Sequence, residues 1–426
     1  MTDSLKTVPW PKITLLFVVS RVLIGIGIIL SSNKFAVEMA MKLFRWVFFA
    51  PDPEGRIAAY HPLFLHSHAQ SLQDISRYWD GFWYLRLAQH GYTFNGAITH
   101  QTVAHYPFFS LVCSWAGHAN TSAILWTGII LNNLCFLASL GLLFWIVKKY
   151  AGETIALSAA ILLALYPGSL YFSLFLTESF YLFFCLAFFY LLEQKRYWLA
   201  ALISWPASLT RYSGLFLSVN FLNKKNWPLF LLAVAAVAIY PLYLGATFHE
   251  PLLYVKLQTI YRGAGSFIKL GLFFTVCMIC VGISWVWPRL KAKVIWTLLI
   301  LIPLVIYLIM SFLAVSGKSA PPSVIPVHEM PGFVASLFAV IVFGLLQHKL
   351  PINYKIFAAL HVAAILYAQT FICNQRYVAV IFPLFWMLAC GLVEHGKLKW
   401  LCYGLSSLAL VGLTILFVSM GWLFVF

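Results

Sequence analysis

The sequence predicts an all-α, polytopic membrane protein, and its composition carries that prediction. The chain has 426 residues, of which 62% are hydrophobic and only 9% are charged. Its mean hydropathy is +0.89. Soluble domains carry about 25% charged residues, so a soluble fold of this composition could not cover its surface with polar groups. The same values exclude disordered, fibrous and nucleic-acid-binding proteins.

The distribution of charge indicates how the chain is oriented. Lys and Arg number 28 against 12 Asp and Glu, which gives a formal net charge of +16. In a soluble protein such an excess is typical of nucleic-acid binding, but in a membrane protein basic residues collect in the loops that stay inside. The clusters that separate the apolar runs are Lys6/Lys12, Lys148-Lys149, Lys195-Arg196, Lys224-Lys225, Arg289/Lys291/Lys293, Lys349/Lys355 and Lys397/Lys399.

Placing these clusters inside predicts about 11–13 transmembrane segments, with the N-terminus inside and the C-terminus outside. Residues 1–426 then form a single integral membrane domain. The expected full spans are 13–30, 122–147, 154–171, 175–192, 227–246, 267–287, 294–315, 332–347, 356–372, 377–393 and 400–424.

Residues 31–121 form a large extracytoplasmic loop in this topology. The loop is rich in aromatic residues, and residues 76–90 fit a helix with one apolar face. Helices of this kind lie flat on the membrane surface. We therefore expect the loop to carry amphipathic helices rather than to be simply solvated.

The segment 197–222 has inside markers at both ends but is too short for two full crossings by α-helix. Pro206, Arg211 and Gly214 interrupt its apolar run. Irregular backbone at membrane depth is tolerated only where protein or a wet cavity surrounds it. We therefore expect a hairpin of two half-helices that meet near Arg211.

Four charged residues on the outer side of the predicted bilayer are candidates for a functional site. Glu178 lies at the outer end of an apolar run, and Asp80 is crowded by aromatic residues. A carboxylate at the membrane edge can act as a general base beside a substrate, or it can be a surface or N-capping residue. Arg211 and Arg376 suit a phosphate by bidentate donation, or they reach lipid headgroups. Charges inside a span are costly, roughly 2.5–3.5 kcal/mol at its centre.

The sequence carries little evidence for a metal or another cofactor. Asp52 and Glu54 flank Pro53 and form either a divalent-metal pair or a plain turn. No P-loop, dinucleotide fingerprint or His/Cys cluster is visible. No clear ligand set for a metal therefore emerges, and we expect no cofactor.

Five motifs, in order along the chain, resemble those of PIG-V-type mannosyltransferases. They read W-D-x-x-W-Y-L-x-x-A-x-x-G-Y at 79–92, A-H-Y-P-F-F at 104–109, T-E-S-F at 177–180, T-R-Y-S-G-L at 210–215, and R-Y followed by F-P-L-F at 376–385. That family includes the second mannosyltransferase of GPI-anchor assembly. It belongs to the GT-C class of glycosyltransferases, which use polyprenyl-phosphate-sugar donors. His105 and Tyr106 replace Phe positions of the family.

The resemblance implies a GT-C-like fold and an inverting transfer, with mannose as the sugar, to a lipid-linked or protein acceptor on the extracytoplasmic face. It implies Asp80 as the catalytic base and Arg211 and Arg376 as ligands of the donor phosphate. The residues that it implies for substrate binding are Glu178, Trp79, Trp83, His105, Tyr106 and Tyr377. Donor, acceptor and membrane lipids would be the partners. The W-Y-L form of the first motif favours a bacterial inner membrane, whereas a eukaryotic member would lie in the endoplasmic reticulum.

Two other functions are compatible with the sequence. A transporter or flippase for lipid-linked sugars also uses broken helices and buried charges, although no internal repeat is visible. A non-catalytic subunit of a glycosylation complex would keep the fold without the chemistry. The sequence names neither the sugar nor the acceptor.

Overall fold

The computed structural model describes residues 7–33, 35–40, 72–78, 80–96, 101–117, 120–222, 226–261, 330–367 and 374–420. Every regular element in these ranges is a helix. Within them, five helices are long and apolar enough to cross a membrane, and a sixth span results if one pair bent by 76° counts as one. The chain is thus an all-α integral membrane protein. The predicted spans 267–287 and 294–315 lie outside the described residues, so the total count stays a prediction.

The helices are labelled here in chain order. The α-helices are α1 (Trp10–Leu30), α2 (Leu72–Ile75), α3 (Asp80–His90), α4 (Phe108–Gly117), α5 (Thr121–Ala151), α6 (Glu153–Leu165), α7 (Glu178–Glu193), α8 (Tyr197–Thr210), α9 (Trp227–Phe248), α10 (Leu253–Tyr261), α11 (Met330–Leu346), α12 (Ile352–Tyr367), α13 (Asn374–Ala379), α14 (Phe382–Leu392) and α15 (Gly396–Met420). The 3-10 helices are Thr102–Ala104, Pro167–Ser173, Tyr212–Phe221 and Gln347–Lys349.

The main core lies between helices α5 to α8 and the later helices α11, α12 and α14. α7 packs against α5 and α8, and α6 packs against α14. The first and last helices, α1 and α15, also pack against each other. The side chains buried in the described residues are mainly apolar, so close van der Waals packing holds these helices together.

Helix α7 separates two charged ends of the molecule. Its 16 residues span about 24 Å, from Glu178 to Glu193. Glu193 accepts hydrogen bonds from Lys149 Nζ at 2.5 Å, Tyr150 Oη at 2.6 Å and Tyr354 Oη at 3.0 Å. Although Glu193 lies close to the basic pair Lys195-Arg196 in the sequence, these donors from α5 and α12 leave its side chain only 10% exposed.

The segment 197–222 folds back on itself beside α7. α8 ends at Thr210, and Arg211 is extended with φ −152° and ψ 141° before a ten-residue 3-10 helix leads back. Arg211 contacts Glu178, so the first arm reaches the far end of α7. Asn226, just beyond the second arm, lies beside the start of α8. The second arm covers this distance with only ten residues because a 3-10 helix rises about 2.0 Å per residue rather than 1.5 Å.

Two predicted spans are broken within the described residues. The span predicted at 154–171 stops being α-helical after α6 and turns by 76° into the 3-10 helix Pro167–Ser173. The span predicted at 377–393 is divided between α13 and α14, just before Pro383. Proline has no N–H to donate within a helix and clashes with the preceding turn. Both breaks therefore follow from prolines inside apolar runs.

The helix predicted over 76–90 begins later than expected, at Asp80. A tight turn precedes it, in which the Gly81 N–H donates to the Tyr78 carbonyl at 3.0 Å. A Cβ at Gly81 would lie 2.0 Å from the Ser76 carbonyl oxygen, so only glycine permits this approach. The turn makes Asp80 the first residue of α3.

The close packing of the hairpin arms predicts a strong effect of the substitution Gly214→Ala. A Cβ at this position would lie 2.3 Å from the backbone nitrogen of Ser208. Overpacking of this kind costs about 1–3 kcal/mol, so the melting temperature of the purified protein in detergent should fall. Gly412→Ala is the matched control, because a Cβ there meets open space. Equal melting temperatures for both variants would contradict the packing described.

Candidate functional site

Four charged side chains from distant parts of the chain meet at one end of α7. Arg211 Nη1 donates to Glu178 Oε1 at 2.6 Å, and Arg376 Nε lies 2.9 Å from the same oxygen. Arg376 Nη2 also donates to Asp80 Oδ2. The contacts run Asp80–Arg376–Glu178–Arg211, and we call these four residues the charge cluster. Its two carboxylates balance its two guanidiniums.

The charge cluster is open at Asp80 and closed at Glu178. The side chain of Glu178 is 1% exposed and that of Arg376 is 4% exposed, whereas Arg211 is 12% and Asp80 25% exposed. A substrate group can therefore reach Asp80 directly. The burial of Glu178 between two arginines favours a role as their shared counter-ion over direct contact with substrate.

Each member of the charge cluster sits at a helix end or in a short helix. Asp80 and Glu178 are the first residues of α3 and α7, where the helix dipole favours a carboxylate. Arg211 lies at the break after α8. Arg376 belongs to α13, which has only six residues. The ends and breaks of these helices thus bring four charged side chains together at one level of the molecule.

Tyr377 lies between the two arginines. Its ring centroid is 4.8 Å from Cζ of Arg211 and 5.3 Å from Cζ of Arg376. Cations over an aromatic face at this range are attracted to it. The Tyr377 ring therefore attracts both guanidiniums.

Trp83 and His105, which were predicted to bind substrate, belong to a group of aromatic residues that is connected to the charge cluster. Their rings are stacked with centroids 6.4 Å apart, and the Tyr84 ring meets His105 edge-on at 4.9 Å. Tyr84 Oη lies 3.4 Å from Thr177 Oγ1, which accepts from Arg211 Nη1 at 3.3 Å. A continuous path of contacts therefore joins these aromatic residues to the arginine.

Tyr106 belongs to a separate group of tyrosines. Its ring centroid is 5.0 Å from that of Tyr240 and 4.9 Å from that of Tyr254. Trp79, Asp52 and Glu54 lie outside the described residues. Within the described ranges, no group of three His, Cys, Asp or Glu side chains is placed to hold a metal ion.

Tyr181 and His361 are buried beside the charge cluster and were missed by the sequence analysis. Tyr181 Oη lies 2.9 Å from His361 Nε2, and His361 Nδ1 lies 2.9 Å from the Phe357 carbonyl oxygen. Because a carbonyl only accepts, Nδ1 carries the proton and Tyr181 donates to Nε2. The Tyr181 ring centroid is 5.9 Å from Cζ of Arg211. A single histidine inside an apolar run was the available signal.

Comparison with known proteins gives a similarity in structure but none in sequence. No protein-family model matches the chain, and no curated protein matches it. The crystal structure of the Archaeoglobus fulgidus oligosaccharyltransferase, tethered with an acceptor peptide, is similar with 12% sequence identity and a TM-score of 0.39. The similarity covers 92% of this chain and 56% of that one. This chain thus spans little more than half the length of the archaeal protein.

The shared counter-ion predicts that Glu178→Gln destabilises the protein strongly. The substitution would leave two buried guanidiniums without a carboxylate between them, and breaking such a pair costs about 3–5 kcal/mol. Glu250→Gln is the matched control, since Glu250 pairs with Lys256 at 3.0 Å while 42% of its side chain is exposed. Exposed pairs contribute about 0–1 kcal/mol. Thermal unfolding in detergent should separate the two variants, and similar melting temperatures would argue against the buried network.

Proposed function

We propose that this protein is a membrane glycosyltransferase of the GT-C type, which transfers a hexose from a polyprenyl-phosphate-sugar to an acceptor hydroxyl. The observation that carries the proposal is the charge cluster. It combines two guanidiniums, which suit a phosphate, with a partly exposed carboxylate that can accept a proton. The sequence resemblance favours mannose as the sugar and the extracytoplasmic face of a bacterial inner membrane as the place.

The donor phosphate would bind where Arg376 and Arg211 face the open end of the charge cluster. Asp80 pairs with Arg376 in the structure. A phosphate oxygen that takes over this guanidinium releases the Asp80 carboxylate, which then becomes available to the acceptor. Binding of the donor thus prepares the base, so the donor is expected to bind before the acceptor reacts.

The transfer step follows from these positions. Asp80 accepts the proton of the acceptor hydroxyl while the acceptor oxygen attacks the anomeric carbon of the sugar. The bond between this carbon and the phosphate oxygen breaks, with inversion of the anomeric centre. The leaving polyprenyl phosphate gains one negative charge and Asp80 loses one. The total charge in the site is therefore conserved, which matters because changes in net charge are costly in a medium of low dielectric constant.

The charge cluster and the basic end of the molecule lie at opposite ends of α7, an arrangement that suits a lipid-linked donor. The basic end of the molecule, near Lys149 and Glu193, lies about 24 Å from the charge cluster. Since basic loops stay inside, the charge cluster belongs near the outer face. A lipid-phosphate sugar can be presented there with its tail in the bilayer, and either a lipid-linked or a protein acceptor can approach from outside.

Replacement of the proposed base is the direct test. Asp80→Asn should bind a short-chain polyprenyl-phosphate-mannose but lose transfer by roughly 10²–10⁴-fold, the contribution of a positioned base. Transfer to an acceptor mixture from membrane extracts, followed by mass spectrometry, measures it. Asp74→Asn, an identical change in α2, should transfer normally. Normal turnover by purified Asp80→Asn would leave the mechanism without its base, and movement of the intact donor without transfer would favour a flippase.

A second test concerns the arginines. Arg211→Lys and Arg376→Lys should each weaken binding of the short-chain donor, because lysine keeps the charge but loses the planar fork. The two losses should combine to less than their sum, since both residues bind one phosphate. Arg86→Lys on α3 provides the control for the same chemical change. Additive losses would mean that the arginines do not share a ligand.

A further inference from the structure

Arg21 is a charged residue in the middle of α1. Its Nη1 donates to Ser173 Oγ at 2.5 Å, its Nη2 to Ser169 Oγ at 2.5 Å and its Nε to Ser20 Oγ at 3.2 Å. Its Cζ also lies 4.8 Å from the ring centroid of Phe136. Among the described residues no carboxylate pairs with Arg21. Within the described residues, the contacts of this cation are therefore with neutral groups.

A cation at this depth without an acidic partner is costly, and such residues usually have a function. Two features explain why arginine suits the position. The planar fork presents two nitrogens at once, and they bind two serines four positions apart on the same 3-10 helix. The lysine side chain has only one nitrogen, so it cannot place a separate nitrogen on each hydroxyl.

The two serines belong to an irregular stretch, residues 166–177, that connects α6 to α7. After the 3-10 helix Pro167–Ser173, the backbone of this stretch is not helical again until Glu178. In this non-helical part, Asn132 Nδ2 on α5 donates to the Leu174 carbonyl at 2.6 Å and to the Leu176 carbonyl at 2.7 Å. Arg21 and Asn132 therefore hold this stretch from two neighbouring helices.

The stretch 166–177 is linked both to Glu178 and to Arg376 of the charge cluster. Its last residue directly precedes Glu178, their shared counter-ion. Gln375 Nε2 donates to Tyr171 Oη at 3.2 Å, and Tyr166 Oη donates to the Gln375 carbonyl at 3.1 Å. Gln375 directly precedes Arg376. A displacement of this stretch would therefore move Glu178 and Arg376 relative to each other.

We infer that Arg21 is a positioning residue of the site: by binding Ser169 and Ser173 it fixes the stretch 166–177, and with it the distance between Glu178 and Arg376. The geometric part of this inference stands on the contacts alone. Its catalytic part rests on the proposed function.

The geometric part is tested by chemical labelling of carboxylates in purified protein in detergent, using a carbodiimide and a small amine, with mass spectrometry of each residue. Glu178 is enclosed and should label slowly in the native protein. Arg21→Gln should raise labelling of Glu178 several-fold and leave labelling of Glu193, at the other end of α7, unchanged. Arg21→Lys is the second variant, because it keeps the charge while losing the fork, and it should show the same selective change.

A control variant separates positioning from general loss of stability. Tyr403→Phe removes the 2.6 Å hydrogen bond between Ser158 and Tyr403, which joins α6 to α15. This variant should not raise labelling of Glu178. Unchanged labelling of Glu178 in both Arg21 variants, or an equal rise at Glu178 and Glu193, would overturn the inference.

Transfer kinetics test the catalytic part. Arg21→Lys should lower kcat by up to about 100-fold, since a misplacement of 1 Å can cost that much. Its effect should be less than additive with Arg376→Lys, because Arg21 acts through that residue. Additive effects would show that Arg21 does not act through Arg376. Absence of transfer by the native protein would remove the proposed function but leave the labelling result standing.

Discussion

The site depends on one buried carboxylate that serves two guanidiniums. Arg211 and Arg376 come from parts of the chain far apart in sequence, and like charges at this distance repel. Oxygen Oε1 of Glu178 contacts both, so the repulsion is compensated inside an apolar core. Without that carboxylate the two arginines could not share one small volume. The positions of α7, the hairpin after α8 and the short helix α13 all meet this requirement.

The sequence predicted the class of fold and the spacing of charges better than the shape of the backbone. Apolar runs and basic clusters marked most helices, because both reflect the membrane directly. The helix breaks were harder to place. Pro167 and Pro383 are both visible in the sequence. Proline is tolerated inside many membrane helices, however, so its presence alone did not decide whether the chain turns there.

Side-chain partners were the least predictable part. Asp80, Arg211, Glu178 and Arg376 stood out in the sequence because charges are rare in it, but nothing there indicated that they contact one another in this order. Glu193 follows an apolar run and precedes two basic residues in the sequence, which does not reveal that donors from two other helices enclose it. Arg21 and His361 were single polar residues within apolar runs. Their partners are hydroxyls and a tyrosine, which carry no charge pattern that a sequence could reveal.

The clamping of α7 at both ends has a mechanical consequence. Glu178 anchors one end through two arginines, and Glu193 anchors the other through Lys149, Tyr150 and Tyr354. Sliding the helix along its axis would break both sets of contacts at once. α7 therefore behaves as a strut of fixed length. Any opening that admits a bulky ligand must therefore come from other parts of the molecule, while the strut keeps its place.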